Sequence, residues 1–332
     1  MANYITSFSS ITAYNEATDL DYPNMSLIES DSSMIYQMTS PVPPPHDYSL
    51  DYFTVVSEAD DNTISIVNGS GAPNITVSAS TDDGSTWSTY SSGNIATLNR
   101  GDKLLLKGVN NAFGASVSTA STNTISSTSA FHVEGNIMSL LYGDSFTDQT
   151  SLADRDYAFY KLFKGTSNLT NAENLVLPAT TLSNACYKNM FNGCIRLTTA
   201  PALPATTLSL ECYNNMFMGC SDLTTTQTVL PATTLMERCY GGMFFGCSKL
   251  TTAPALPAKT LTKYCYDNMF NGCSSLNYIK CLATNISASK CLQDWVYGVA
   301  ASGTFAKDAS MTSWGRGNSG IPRNWTVVDN TE

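Results

Sequence analysis

The hexapeptide Leu-Pro-Ala-Thr-Thr-Leu begins at Leu177, Leu203 and Leu230, returns as Leu-Pro-Ala-Lys-Thr-Leu at Leu256, and decays to Leu-Ala-Thr-Asn-Ile at Leu282. The starts are 26, 27, 26 and 26 residues apart. Nine residues into each unit stands a second phrase, Cys-Tyr-x-x-Met-Phe-x-Gly-Cys, which begins at Cys186, Cys212, Cys239 and Cys265 and fades at Cys291. A unit this short cannot bury an apolar side by itself, so the copies must stack on one another. Phe163, Gly165 and Leu169 match Phe191, Gly193 and Leu197, which places a degenerate unit before the clean ones and makes about six in all.

Within a unit, Leu-Thr-Thr-Ala (197–200 and 250–253) is β-compatible and, once stacked, forms one rung of a parallel sheet that proline ends. The Cys-Tyr-x-x-Met-Phe segment sets apolar side chains at i, i+1, i+4 and i+5, a spacing that predicts a helical turn or short helix. Gly193, Gly219, Gly246 and Gly272 then close it as C-terminal caps. All ten cysteines (186, 194, 212, 220, 239, 247, 265, 273, 281 and 291) lie in this region. Equivalent cysteines recur in register as leucine does, so they read as buried free thiols. Their even count leaves disulfides as the alternative, while the absence of a Cys-x-x-Cys pair argues against zinc.

The phrase Met-Phe-x-Gly-Cys-x-x-Leu-Thr, followed by a proline-containing turn, resembles the BspA-type leucine-rich repeats of surface and phage proteins of gut Bacteroidetes, over roughly residues 157 to 300. The units are longer than the commonest form of that family. The layout of the whole chain, including its ending Thr-Ser-Trp-Gly-Arg-Gly-Asn-Ser-Gly-Ile-Pro, is also similar to proteins of Bacteroides-infecting, crAss-like bacteriophages. That resemblance implies a virion structural protein, a head or tail fibre or decoration protein, made in the host cytoplasm. Its partners would be capsid, portal or tail proteins through residues 1–45 and a host-surface glycan or protein through the repeats, and by analogy it would be a homo-oligomer. A bacterial surface adhesin is the alternative.

The fold class expected is mixed: an immunoglobulin-like β-sandwich followed by a leucine-rich-repeat solenoid of β-rungs and short helices. Residues 1–45 offer short strands at Met25–Ile28 and Met34–Tyr36 and a linker at Pro41 and Pro43–Pro45; the phage resemblance implies an attachment segment, with a flexible tail as the alternative. Residues 46–135 hold β-rich runs at Tyr52–Val56, Ile64–Val67, Ile75–Ala79, Thr86–Tyr90, Ile95–Leu98, Lys103–Val109 and Phe131–Glu134, separated by turn residues, which is the pattern of a small sandwich. Ser80-x-Asp82-x-Gly84-x-Thr86-Trp87 resembles the Asp-box hairpin, which here reads as a turn device because a propeller would repeat it. Residues 136–176 form a connector and N-terminal cap, 177–300 the repeats, and 301–332 a C-terminal cap built on Trp295, Phe305, Trp314, Ile321, Trp325 and Val327, with a carbohydrate platform on Trp295 and Trp314 as its alternative.

Charged residues are only 13% of the chain, and 27 acids against 17 bases give a net charge of -10 with no basic cluster. Phosphate-directed nucleic-acid binding is therefore not expected. Met1–Ser10 lacks a signal-peptide pattern, and no run reaches the ~18 apolar residues of a membrane span. The residues offer little for catalysis. His46 and His132 are the two histidines, Ser287-x-x-Lys290 lacks partner motifs, and Glu211, Asp222, Glu237 and Asp267 are scattered acids. No enzyme, metal or cofactor is expected. What remains is a surface: with Leu197, Leu223, Leu250 and Leu276 inward, Thr170, Thr198, Thr224, Thr251 and Asn277 form a candidate binding row on the sheet face. The same threonines serve equally as a ladder that stabilises the sheet. No aromatics are expected on this face, and their absence weakens a sugar-binding reading.

Overall fold

The computed structural model describes residues 4–5, 25–30, 33–38, 46–115 and 122–330, and falls into two compact units, Met1–Asp47 and Tyr48–Glu332. In the first, β1 (Tyr4–Ile5), β2 (Met25–Ser30) and β3 (Ser33–Met38) make an antiparallel sheet ordered β1-β3-β2. The two short strands expected from the sequence are present and pair with each other. The proline cluster at Pro41 and Pro43–Pro45 lies outside the described residues.

The second unit is β-rich, with α1 (Ser139–Tyr142) a single helical turn. Its first part carries β4 (Phe53–Ser57), β5 (Asn62–Asn68), β6 (Val77–Ser80), β7 (Ser88–Tyr90), β8 (Gly93–Leu98), β9 (Lys103–Lys107), β10 (Asn123–Ser127) and β11 (Phe131–Asn136). One antiparallel sheet runs β10-β5-β8 and a second runs β11-β4-β9-β6-β7. Phe53, Val55, Ile64, Ile66, Leu104, Leu106, Ile125 and Phe131 are all buried in one apolar core. Sequence reading passed over β10 because Asn-Thr-Ile-Ser-Ser offers a single apolar side chain, Ile125. The β6–β7 hairpin is the Asp box. Asp82 accepts the Thr86 N–H (2.9 Å) and hydroxyl (2.6 Å), Gly84 sits at φ 82°, and the Trp87 indole donates to the Gly84 carbonyl (2.9 Å). Hydrogen bonds from Ser80 and Thr86 hold the Asp82 carboxyl down at about 2.

Strand β11 is shared between the two parts. Its antiparallel side faces β4, and its other side pairs in parallel with β12 (Leu169–Asn171) and β13 (Leu175–Val176). From there, parallel bridges join Asn171 to Thr199, Thr199 to Thr225 and Thr252 to Tyr278, and a second row joins Ser151, Thr181, Thr207 and Thr234. The rungs become regular strands again at the far end, where β14 (Tyr278–Cys281), β15 (Thr304–Asp308) and β16 (Thr326–Asn330) pair in parallel. The repeats thus extend the edge of a sheet that already exists.

The Cys-Tyr-x-x-Met-Phe segments are not helical, which corrects the expectation of short helices and helix caps. They are chains of tight turns in which backbone N–H groups alternate between two kinds of acceptor. Lys188, Met190, Asn192 and Cys194 donate three residues back within their own unit, to Ala185, Tyr187, Asn189 and Phe191. Ala185, Tyr187, Asn189, Phe191 and Gly193 donate instead to Leu210, Cys212, Asn214, Met216 and Met218 of the next unit, at 2.8–3.0 Å. A helix would spend all of these donors internally and leave nothing to bind the neighbouring layer. Turning the chain this way puts every fourth residue in the left-handed region: Ala185, Asn189 and Gly193, then Glu211, Asn215 and Gly219, with the same spacing in later units. Asn and Gly are the residues that tolerate it most easily. The glycines also stack, since a Cβ on Gly193 would lie 3.5 Å from the Gly165 Cα.

Side chains follow the same register. One column of rings runs Phe113, Phe159, Tyr187, Tyr213, Tyr240 and Tyr266, with centroids 5.6–6.3 Å apart. A second runs Phe53, Phe163, Phe191, Phe217, Phe244 and Phe270 at 5.3–6.1 Å. Both columns end on Trp295, 6.3 Å from Tyr266 and 6.1 Å from Phe270. Each stacked pair contributes about 0.5–1.5 kcal/mol beyond burial. That is of the size needed to offset a left-handed non-glycine residue, which costs about 1–2 kcal/mol. Trp295 is fully buried and stacks on Trp314, so it caps the core and is no surface platform.

Because the Cβ of an alanine at 219 would sit at an ordinary 3.8 Å from the Gly193 Cα, the cost of Gly219→Ala is conformational and not steric. Urea unfolding should show a loss of about 1–2 kcal/mol. Asn215→Gly, at φ 54°, should lose markedly less.

Candidate functional site

The structure sets Thr198, Thr224, Thr251 and Asn277 on the exposed sheet face, with Thr170 half-buried. It also commits several of their hydroxyls. Thr198 donates to the Thr170 carbonyl (2.9 Å), Thr224 to the Thr198 carbonyl (3.3 Å), and Thr170 to both Glu58 (2.8 Å) and the Phe131 carbonyl (3.0 Å). These donors tie one layer to the next, leaving oxygen lone pairs for a ligand. Thr251 and Asn277 are joined through backbone, Asn277 N–H to Thr251 carbonyl at 2.9 Å.

The face is not uniform. A groove of about 370 Å³ opens over rungs of the second, third and fourth clean units, lined by Thr224–Thr228, Thr251–Ala253, Ala255, Tyr278 and Lys280. The one step of 27 residues falls in its lining. Where neighbouring units read Ala-Pro-Ala-Leu-Pro (200–204 and 253–257), this one reads Thr-Gln-Thr-Val-Leu-Pro (226–231), and the extra residue bows the chain. Gln227 holds the bow: its amide oxygen accepts the Leu203 N–H and its amide nitrogen donates to the Leu203 carbonyl (3.4 Å). A side chain thereby replaces the backbone partner that the bow removes.

Tyr278 and Lys280 are the groove residues that sequence reasoning missed. Alternation along β14 buries Ile279 and Cys281 and turns Tyr278 and Lys280 outward, Tyr278 with 36% of its surface exposed. The usable signal was that Tyr278 follows Asn277 where earlier rungs carry Thr199, Thr225 and Thr252. An aromatic therefore does stand on this face, contrary to the expectation. A larger hollow of about 530 Å³ is lined by Asn111, Asp154, Asp156, Ser183 and Asn184. Its Asp156 is already used to accept the Asn184 N–H (3.0 Å), and no aromatic ring lines it.

The remaining candidates for chemistry are engaged elsewhere. Glu211 pairs with Lys188 at 2.7 Å, Asp222 with Lys249 at 2.7 Å, and Glu237 with Lys263 at 3.0 Å. Burial pushes the Asp267 carboxyl upward. His132 Nδ1 lies 2.9 Å from Glu58. Among the described residues no group of three His, Cys, Asp or Glu is placed to hold a metal ion, and no helix is long and apolar enough to cross a membrane.

All ten cysteines are free and buried. The thiols of Cys194, Cys220, Cys247 and Cys273 donate to the carbonyls of Phe163, Phe191, Phe217 and Phe244, one unit back, at 2.9–3.2 Å. Burial pushes Cys212, Cys265, Cys273 and Cys281 up to about 12 and raises the Tyr187, Tyr213, Tyr240 and Tyr266 phenols well above their ordinary value. Such thiols are protonated at neutral pH and have no nucleophilic role.

Four outcomes follow. Native protein should leave its thiols unreacted toward a colorimetric disulfide reagent, and all ten should react in denaturant. Because these groups hold protons to higher pH folded than unfolded, their contribution is complete below about pH 9 and is lost as pH rises toward 12. The unfolding free energy from urea titrations should accordingly fall above pH 9, by roughly 1.4 kcal/mol per pH unit for each group that ionises only on unfolding. Cys220→Ser should cost about 1–3 kcal/mol whatever the oxidant. Gln227→Ala should cost about 1–3 kcal/mol and expose the Leu203 amide to hydrogen exchange, with the other rungs still protected.

No protein-family model matches the chain, nor does any curated protein or solved structure.

Proposed function

We propose that the protein is a non-enzymatic structural and recognition protein of a bacteriophage particle, a head or tail fibre or decoration protein. In this reading residues 1–45 attach to capsid, portal or tail. An immunoglobulin-like sandwich spaces the display domain from the particle, and a leucine-rich-repeat solenoid presents the grooved sheet face to the host surface. The observation that carries the recognition role is the groove over Thr225, Thr252 and Tyr278, a break in an otherwise repeated surface beside which the side chain of Gln227 is bonded back to Leu203. Support for the display role comes from the core, which runs without interruption from Phe53 through Trp325 and holds the face in a fixed register. The division at Asp47, with Met1–Asp47 clustering apart from the rest, suits a segment that works as an attachment.

Mass spectrometry of purified phage particles grown on a gut Bacteroides host tests the assignment. Full-length protein should be incorporated and a form lacking residues 1–45 excluded. Absence of both forms from particles would remove the virion reading and leave a surface adhesin in its place.

A further inference from the structure

From the groove's lining we infer that it binds a single anionic sugar ring, of the uronic or sialic acid type, with Lys280 on the carboxylate, Tyr278 against the ring and the threonine oxygens on its hydroxyls. This deepens the recognition role proposed above and does not depend on the protein sitting on a particle.

The charge argument comes from Lys280. In a chain of net charge -10, none of the residues lining the groove is acidic. Among the other lysines that are not exposed, Lys107 pairs with Asp144, Lys188 with Glu211 and Lys307 with Asp329, while the buried Lys161 lies over the Tyr160 ring, 4.7 Å from its centroid. Arg155 and Arg316 spend their guanidinium groups on backbone carbonyls. Lys280 is half-buried in β14 beside the groove and belongs to none of these pairs. A half-buried ammonium facing a concave, acid-free surface favours an anion, and a carboxylate accepts from it with a charge-assisted hydrogen bond.

Tyr278 and the hydroxyls decide in favour of a sugar. A saccharide ring has an apolar C–H face and a rim of hydroxyls, so it fits a site with one aromatic plane beside several polar oxygens. Tyr278 supplies the plane, and Thr225, Thr228, Thr251 and Thr252 supply oxygens around it. Since the Thr224 donor is already given to the Thr198 carbonyl, such oxygens act as acceptors for ligand O–H groups. An acidic peptide is a poorer occupant, because an extended strand binds by adding to a free sheet edge. The groove floor is a sheet face whose backbone bonds run to the neighbouring rungs, Thr224 and Thr225 N–H to Thr198 and Ala253 N–H to Tyr278. The volume of about 370 Å³ holds one or two rings and no long chain.

Ligand-observed NMR and calorimetry on the full chain, with glucuronate and N-acetylneuraminate as probes, provide the test. Methyl glucoside reports on the ring without charge, and acetate on charge without the ring. The acidic sugars should bind with Kd of about 1 mM or tighter, and the two controls at least about tenfold more weakly. Lys280→Gln and Tyr278→Ala should each weaken binding by about tenfold or more, while Arg196→Gln, an exposed cation elsewhere, should leave it unchanged. Tyr278 is exposed and Lys280 half-buried on the sheet face, so an unchanged urea midpoint is required to verify that both variants fold. Equal binding of acetate, equal binding of methyl glucoside, full binding by the Lys280 variant, or no binding of either acidic sugar would each overturn the proposal. Particle incorporation is read on separate samples, so failure of sugar binding and failure of the virion assignment are told apart.

Discussion

The structure depends on how the backbone divides its N–H groups. In the turn segments every second donor closes a turn within its own unit and the next one reaches across to the following unit. No unit can satisfy its backbone alone, and a buried unpaired N–H costs as much as the bonds that other contacts supply. Stacking is therefore enforced by hydrogen bonding as well as by burial. The left-handed residue at each fourth position is the geometric result. Once the backbone is set in this way, equivalent side chains must lie over one another, and the ring columns, the glycine stack and the thiol-to-carbonyl contacts all follow.

Much of this was legible in the sequence. The period, the inward leucines, the buried cysteines and the match of Phe163 to Phe191 all depend on residue identities that recur in register, whereas Trp295 stands out because it breaks the period. The helical expectation failed for a specific reason. Apolar residues at i, i+1, i+4 and i+5 fit a helix, yet a turn chain with a conformational period of four places side chains at the same intervals. The distinguishing signal was polar: Asn189, Asn215 and Asn268 stand four residues before Gly193, Gly219 and Gly272, a spacing suited to left-handed residues and unfavourable within a helix.

The groove was less legible, because its lining combines one inserted residue with what surrounds it. The 27-residue step was visible, but its result required knowing that Gln227 folds back onto Leu203 and that the next rung along presents Tyr278. Simple alternation put Asn277 on the face and stopped there. Irregularity in a repeat is where the stacked surface ceases to be generic, and it is also where periodic reasoning has least to say.

Strand β11 meets the first rung on one side, and on the other both ring columns end on Trp295, beyond which β15 and β16 continue the rungs. Between them the turn segments of successive layers repeat the same donors and acceptors, and at Leu203 a side chain, Gln227, stands in for a backbone partner. Duplication or loss of a whole unit in the gene would thus lengthen or shorten the array without disturbing either end, provided the count of residues within the unit is kept. Array length is, in this architecture, a quantity that recombination can tune separately from folding.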